Sequence, residues 1–198
     1  MNGKSDAFDA FVFGRRGELL AIPAVVLAVL GKPSAFSIAV GLPLAFAGEA
    51  IRAWAVGYSG VTTRGDHVEA PALVTAGPYA YVRNPLYVGN FVTALGFGIA
   101  FTGSNGAAAR AGLLAMSLGT MLGVYSIIVP HEEAFLRDTF GDAFDAYVAR
   151  VPRIVPAMAP AQPQAGSYDP SVIAKAESRT FLTFGAMLAV LALKALRR

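Results

Sequence analysis

The sequence predicts an all-α membrane protein: a polytopic bundle of about five transmembrane helices with an amphipathic helical segment on the cytoplasmic side. Three observations predict it. Hydrophobic residues make up 55% of the 198-residue chain and charged residues only 15%, where a soluble domain carries about 25% charged residues. The stretches 86–102 and 111–129 hold no charge, and 35–58 is interrupted only by Glu49 and Arg52; each approaches the roughly 20 apolar residues a helix needs to cross the hydrocarbon core. The lysines and arginines also fall mostly on alternate connections, the pattern that orients a multi-pass protein.

The first apolar run, 19–30, is short and contains Pro23. Arg15 and Arg16 ahead of it would suit a cleaved signal peptide. Gly31-Lys32-Pro33 is a poor cleavage site, however, and another apolar segment follows at once, so a signal anchor is the better reading. The second span is 35–58. The third and fourth, 86–102 and 111–129, are joined by Gly103-Ser104-Asn105-Gly106, a turn that demands a tight antiparallel hairpin. Gly119 and Gly123 form a small-xxx-small pair on the fourth span, expected to serve helix packing.

Beyond Pro130, Leu136, Phe140, Phe144, Tyr147 and Val151 recur at helical spacing, with Arg137, Asp138, Asp142 and Asp145 off the stripe. A helix lying on the membrane surface fits that pattern, interrupted or broken in two at Gly141. Residues 155–170, rich in Pro, Ala and Gln, read as a flexible linker. The last apolar run, 181–193, is followed by Lys194, Arg197 and Arg198. The expected organisation is one membrane domain over 1–198, with a core at 49–156, a linker at 157–171 and a C-terminal apolar helix at 172–198.

Lys4, Arg15, Arg16, Arg64, Arg83, Arg137, Arg150, Arg153, Lys175 and Arg179 all fall on one side if the first span is real, and that side is cytoplasmic. Lys32, Arg110 and the basic tail fall on the other, and the tail argues against a fifth full crossing. Lys32 and Lys194 can snorkel and lengthen the outer spans. The chain has no cysteine, which excludes disulfides, thiolate nucleophiles and cysteine–zinc sites. The net charge of +3 is scattered, so nucleic-acid binding has no support.

Two polar clusters flank the third and fourth spans. The first is Gly77-Pro78-Tyr79-Ala80-Tyr81-Val82-Arg83-Asn84-Pro85-Leu86-Tyr87-Val88-Gly89, and the second is His131-Glu132-Glu133. Back-to-back crossings return the chain to the side it left, so the clusters meet at one membrane face. Pro85 suits the first turn of the third helix. Arg83 is either a snorkelling, lipid-contacting residue or a fixed cation for a carboxylate. Tyr79, Tyr81 and Tyr87 are either interfacial aromatics or the walls of a cleft for a flat ring. Glu132 and Glu133 point to different helix faces, and a carboxylate at a helix N-terminus is also explained by capping. His131 can accept a proton near neutral pH; one histidine beside glutamates is too few ligands for a metal. Glu49 and Arg52, three apart on the second span, can pair along one helix face.

Residues 77–89 resemble the Gly-x-Tyr…Arg-His-Pro-x-Tyr-x-Gly motif of the isoprenylcysteine carboxyl methyltransferase and phospholipid methyltransferase superfamily. Glu132-Glu133-x-x-Leu136…Phe140-Gly141-x-x-Phe144-x-x-Tyr147…Val151-Pro152-Arg153 is similar to that family's second block, and Arg52-Ala53-Trp54-Ala55 resembles an upstream segment. The resemblance covers about 49–156, and the joint spacing of the two main blocks makes it specific.

It implies an integral membrane methyltransferase that uses S-adenosylmethionine in a cytoplasmic pocket of the inner or plasma membrane, with a lipophilic or prenylated acceptor arriving from the bilayer. Tyr79, Arg83, Asn84, Pro85, Tyr87, Glu132 and Glu133 would bind the donor. Arg83, Glu133, His131 and Arg153 would act at the reacting groups, Arg153 on an acceptor carboxylate or phosphate. Carboxyl O-methylation comes first, because Val151-Pro152-Arg153 follows that branch more closely; phospholipid amine N-methylation is the alternative. A non-catalytic membrane protein that retains the fold is the remaining one. Asn84 stands where the family has histidine. It can donate and accept hydrogen bonds but cannot take up a proton, so any base there must be His131 or a glutamate.

Overall fold

The computed structural model describes residues 3–60 and 71–197, with side chains described from residue 11 onward except Phe13. Arg64 and Arg198 of the orientation argument lie outside those residues. The described chain is helical without a strand: α1 (Gly3–Leu30), α2 (Ala35–Ser59), a 3-10 turn (Gly77–Ala80), α3 (Pro85–Thr102), α4 (Ala107–Phe140), α5 (Asp142–Val148), a 3-10 turn (Pro170–Val172), α6 (Ile173–Ala176) and α7 (Ser178–Leu196). Four of these helices, α2, α3, α4 and α7, are long and apolar enough to cross a membrane. α1 is not among them. Its 28 residues include a polar first half, and only its end carries the apolar run expected to span. α7 does qualify, against the reading of the basic tail.

The chain divides into two compact units, Met1–Gly48 with Phe91–Ile128 and Thr180–Arg198, and Glu49–Asn90 with Val129–Arg179. In the first, Leu27, Ala45, Phe97, Ala100, Phe101, Leu113, Phe184, Met187 and Leu191 form the core. α2 and α3 touch backbone to backbone there: a Cβ on Gly41 would lie 2.4 Å from the Gly96 carbonyl, and one on Gly96 would lie 2.3 Å from the Ala45 nitrogen. The packing glycines are thus Gly41 and Gly96. Gly119 and Gly123, expected in that role, face open space: a Cβ added at either would meet nothing within 4 Å. Gly96→Ala should therefore destabilise the protein by about 1–3 kcal/mol, while Gly119→Ala should leave it unchanged or raise stability by up to about 1 kcal/mol. Thermal unfolding in detergent measures both.

At one end of this unit, Asn105 in the α3–α4 turn accepts from the Lys32 backbone and donates to the Leu30 carbonyl. Lys194, near the end of α7, donates to the carbonyls of Val29 and Gly31. A cation on the last carbonyls of α1 offsets the negative end of the helix dipole.

In the second unit, Phe144, Tyr147 and Val151 are buried with Leu73, Leu136, Phe140, Val148 and Ala161 around them. The amphipathic stripe therefore packs into a protein core. Gly141, at φ 51°, separates α4 from α5, and Arg137 pairs with Asp145 across the break at 2.8 Å. Pro130 does not start a new helix: α4 runs through it to Phe140, as spanning helices tolerate when neighbours satisfy the freed carbonyl. Residues 155–170, expected as a flexible linker, are tied down by their backbone. Ala157 donates to Tyr81, Ala161 to Ala80 and Asp169 to Gly57, while Ala165 accepts from Thr75 and Ala76.

Candidate functional site

The second unit gathers the two sequence clusters. α3 opens at Pro85, and the Asn84 carbonyl accepts from the amides of Tyr87 and Val88. That start places Arg83 just before the helix and Tyr87 in its first turn. On α4, the 19 residues of the uncharged run 111–129 rise about 28 Å, close to the hydrocarbon thickness of about 30 Å. Glu132 and Glu133 follow within one turn, inside a continuous helix. The carboxylates lie inside α4 and not at its start, so capping of their own helix does not account for them.

Glu133 is 4% exposed, and both its oxygens are taken. Oε1 accepts from Arg83 Nε at 2.9 Å and Asn84 Nδ2 at 3.4 Å. Oε2 accepts from Arg153 Nε at 3.0 Å and Nη2 at 2.6 Å. The arginines differ sharply, with side-chain exposures of 9% for Arg83 and 51% for Arg153. Arg83 Nη1 also donates to the carbonyls of Val148 and Val151, and its backbone amide donates to Pro152. Arg83 is thereby engaged by the protein itself, as a cation fixed on a carboxylate, and it clamps residues 148–153. Arg153 is the exposed cation of the cluster. Asn84 fills the family's histidine position as a double donor, to Glu133 and to the Arg153 carbonyl at 3.1 Å.

Glu132 is half-buried and accepts from the Tyr87 hydroxyl at 2.7 Å. The Tyr147 hydroxyl donates to the Tyr79 carbonyl at 2.7 Å, which fixes the Gly77–Ala80 turn against α5. Burial pushes the Tyr79 hydroxyl up to about 12, against the opposing effect of a hydrogen bond with Ser59, and burial pushes Tyr147 upward as well. Both are neutral donors at physiological pH and cannot act as bases. His131 is exposed, two positions from buried Glu133. Trp54 lies 6.4 Å from Tyr81, ring centre to ring centre.

Sequence reasoning missed a second polar group in this unit. Arg52 Nη2 donates to both oxygens of Glu177, at 2.8 and 2.9 Å, and Nη1 donates to Asn90 Oδ1 at 2.6 Å. The hydrogen bonds that helical spacing would direct from Arg52 to Glu49 go to these partners instead. The available signal was the charge of Arg52 inside an apolar run, which demands a carboxylate. Glu177 lies 125 positions away among flanking charges, and nothing local marks it.

Among the described residues no cluster of histidine and carboxylate side chains is arranged to hold a metal. The family model for Phospholipid methyltransferase matches residues 36–143, more than half of the chain. The chain belongs to the phospholipid methyltransferase family. It is 38% identical over 92 residues to the Protein-S-isoprenylcysteine O-methyltransferase of Schizosaccharomyces pombe, covering 42% of this chain and 33% of that protein. It is 40% identical over 84 residues to the Nickel-cobalt-cadmium resistance protein NccN of Alcaligenes xylosoxydans xylosoxydans, covering 42% of this chain and 36% of the relative. The matches thus span about a third of each curated relative. No solved structure matches the chain. Its family and its apolar helices make it a membrane protein of a methyltransferase family.

Proposed function

We propose that the protein is a multi-pass methyltransferase that uses S-adenosylmethionine to methylate a carboxylate on a lipophilic, isoprenylcysteine-type acceptor at the cytoplasmic face of the inner or plasma membrane. The observation that carries this reading is the junction of the two family blocks: Glu133 bonded to both Arg83 and Arg153, beside Glu132 on Tyr87. The donor is a zwitterion with an adenine ring, so it needs an anion, hydrogen-bond donors and flat or apolar walls. Glu132 supplies the anion for its ammonium or ribose hydroxyls. Tyr87 and Asn84 hold Glu132 and Glu133 in place for it, and half-buried Tyr79 supplies a wall. The donor set fits.

When bound, S-adenosylmethionine supplies an electrophilic methyl on a sulfonium, open to in-line displacement. The residues contribute positioning and exclusion of water, the terms that dominate such a displacement. Arg83 holds Glu133 and the 148–153 loop in place. Arg153, exposed and cationic, orients the acceptor carboxylate through charge-assisted bonds. A carboxylate nucleophile needs no base. An ammonium acceptor would need one, and Glu133 has both oxygens engaged by donors, Tyr79 and Tyr147 are held neutral, and position 84 holds an asparagine. An amine acceptor would therefore depend on His131 or Glu132 as its base, a requirement the carboxylate does not have.

Calorimetry with S-adenosylmethionine on the detergent-solubilised protein tests the reading. Saturable binding is expected, weakened at least about tenfold by Glu132→Ala and by Arg83→Ala, since charge-assisted bonds contribute about 1.5–3 kcal/mol. Wild-type affinity in both variants rejects the assigned pocket.

A further inference from the structure

Of the Arg52–Glu177 pair, Arg52 lies within the matched family region and Glu177 beyond it, and the reading above gives the pair no role. Glu177 has no exposed surface and the Arg52 side chain is 9% exposed. A buried ion pair is a poor stabiliser, because the desolvation of both charges offsets most of their attraction; an apolar pair of similar volume commonly does as well. What a two-pronged guanidinium–carboxylate contact does supply is orientation. Here both oxygens of Glu177 fix Arg52 Nη2, and this aims Nη1 at Asn90 Oδ1, 2.6 Å away.

Asn90 sits three residues after Tyr87 on α3, on the same helix face, and Tyr87 is the residue whose hydroxyl holds Glu132 at 2.7 Å. We propose that Glu177 is a positioning residue of the methyl-donor site, acting through Arg52 and Asn90 to fix the α3 turn whose Tyr87 orients Glu132. The inference rests on the donor site proposed above. It also assigns a role to the segment before α7, which lies beyond the matched family region. That segment reaches its place along a path already tied to the same loop. Ala161 and Ala157 bond Ala80 and Tyr81, Ala165 bonds Thr75 and Ala76, Asp169 bonds Gly57, and the Tyr168 ring packs 5.4 Å from Tyr58. Glu177 closes this path on α2 and α3 together.

The test replaces both charges at once, Arg52→Met with Glu177→Leu, which keeps an apolar, filled interior and lets the protein fold. Glu177→Gln alone serves as the second variant, since it keeps the shape and one acceptor. Hydrogen exchange of the amides at 87–90 is read against those at 113–121 as an internal control, with no ligand added. The double variant is expected to exchange at least about tenfold faster at 87–90 with the control amides unchanged, and Glu177→Gln to show a smaller change in the same place. Its affinity for S-adenosylmethionine by calorimetry is expected to fall at least about tenfold at unchanged melting temperature. Unchanged exchange at 87–90 overturns the inference whether or not the wild type binds the donor. Faster exchange with wild-type donor affinity overturns it as well, reducing the pair to scaffold. Faster exchange in a protein whose wild type binds no S-adenosylmethionine removes the donor site itself, and the positioning role with it.

Discussion

Glu133→Ala is expected to abolish S-adenosylmethionine binding and to destabilise the protein by about 3–5 kcal/mol, the cost of leaving buried charge without its counter-ion. The expectation follows from an asymmetry in the cluster. Arg153 is half in water and loses little when Glu133 goes, since exposed charges are well solvated. Arg83 is almost wholly enclosed. Without Glu133 it keeps only the carbonyls of Val148 and Val151 as acceptors, which are neutral. The 148–153 loop and the Asn84 amide, both fastened through this group, lose a shared anchor. Glu133→Gln keeps one acceptor oxygen and the shape, so it should fall between wild type and alanine in both stability and affinity. Denaturant or thermal unfolding in detergent reads the first effect and calorimetry the second. An alanine variant with wild-type stability and affinity would mean that the ion-paired cluster neither supports the fold nor borders the donor.

Much of this arrangement was legible because lipid leaves the chain few choices. An uncharged run at membrane length must be helical, with every backbone group satisfied within the segment, so α3 and α4 and the turn between them follow from 86–102 and 111–129. Gly141 was legible as a break because only a glycine enters φ 51° without strain. The meeting of Arg83 with Glu133 follows from the same hairpin, once both ends of it carry charge.

What stayed hidden depended on partners distant in sequence. Pro130 resembles a helix start, yet α4 passes through it, because a missing amide is tolerated in a helix supported by its neighbours. The glycine pair at 119 and 123 has the right spacing, but spacing says nothing of which face meets another helix; Gly41 and Gly96 make the contact. The segment 155–170 has the composition of a linker, and composition is silent on backbone hydrogen bonds to a loop some eighty residues earlier. Arg52 showed that a carboxylate was needed, and only the fold could show that Glu177 provides it.

Arg153→Gln separates the acceptor from the donor. If the acceptor is a carboxylate, the variant should bind S-adenosylmethionine nearly as the wild type does, because Arg83 still holds Glu133. Its kcat/KM for an isoprenylcysteine-type acceptor should fall about 10- to 100-fold, the equivalent of one or two charge-assisted bonds. The chemistry adds a second signature. Esterification removes the negative charge that Arg153 attracts, so the product loses its charge-assisted bond and leaves after a single methyl transfer. An amine acceptor has no such stop: the product of each transfer keeps a nitrogen that can be methylated again until it carries three methyls. Mass spectrometry of the product distinguishes the two, one base-labile methyl for the ester against a ladder of one, two and three for the amine. A ladder would move the protein to the phospholipid branch of its family.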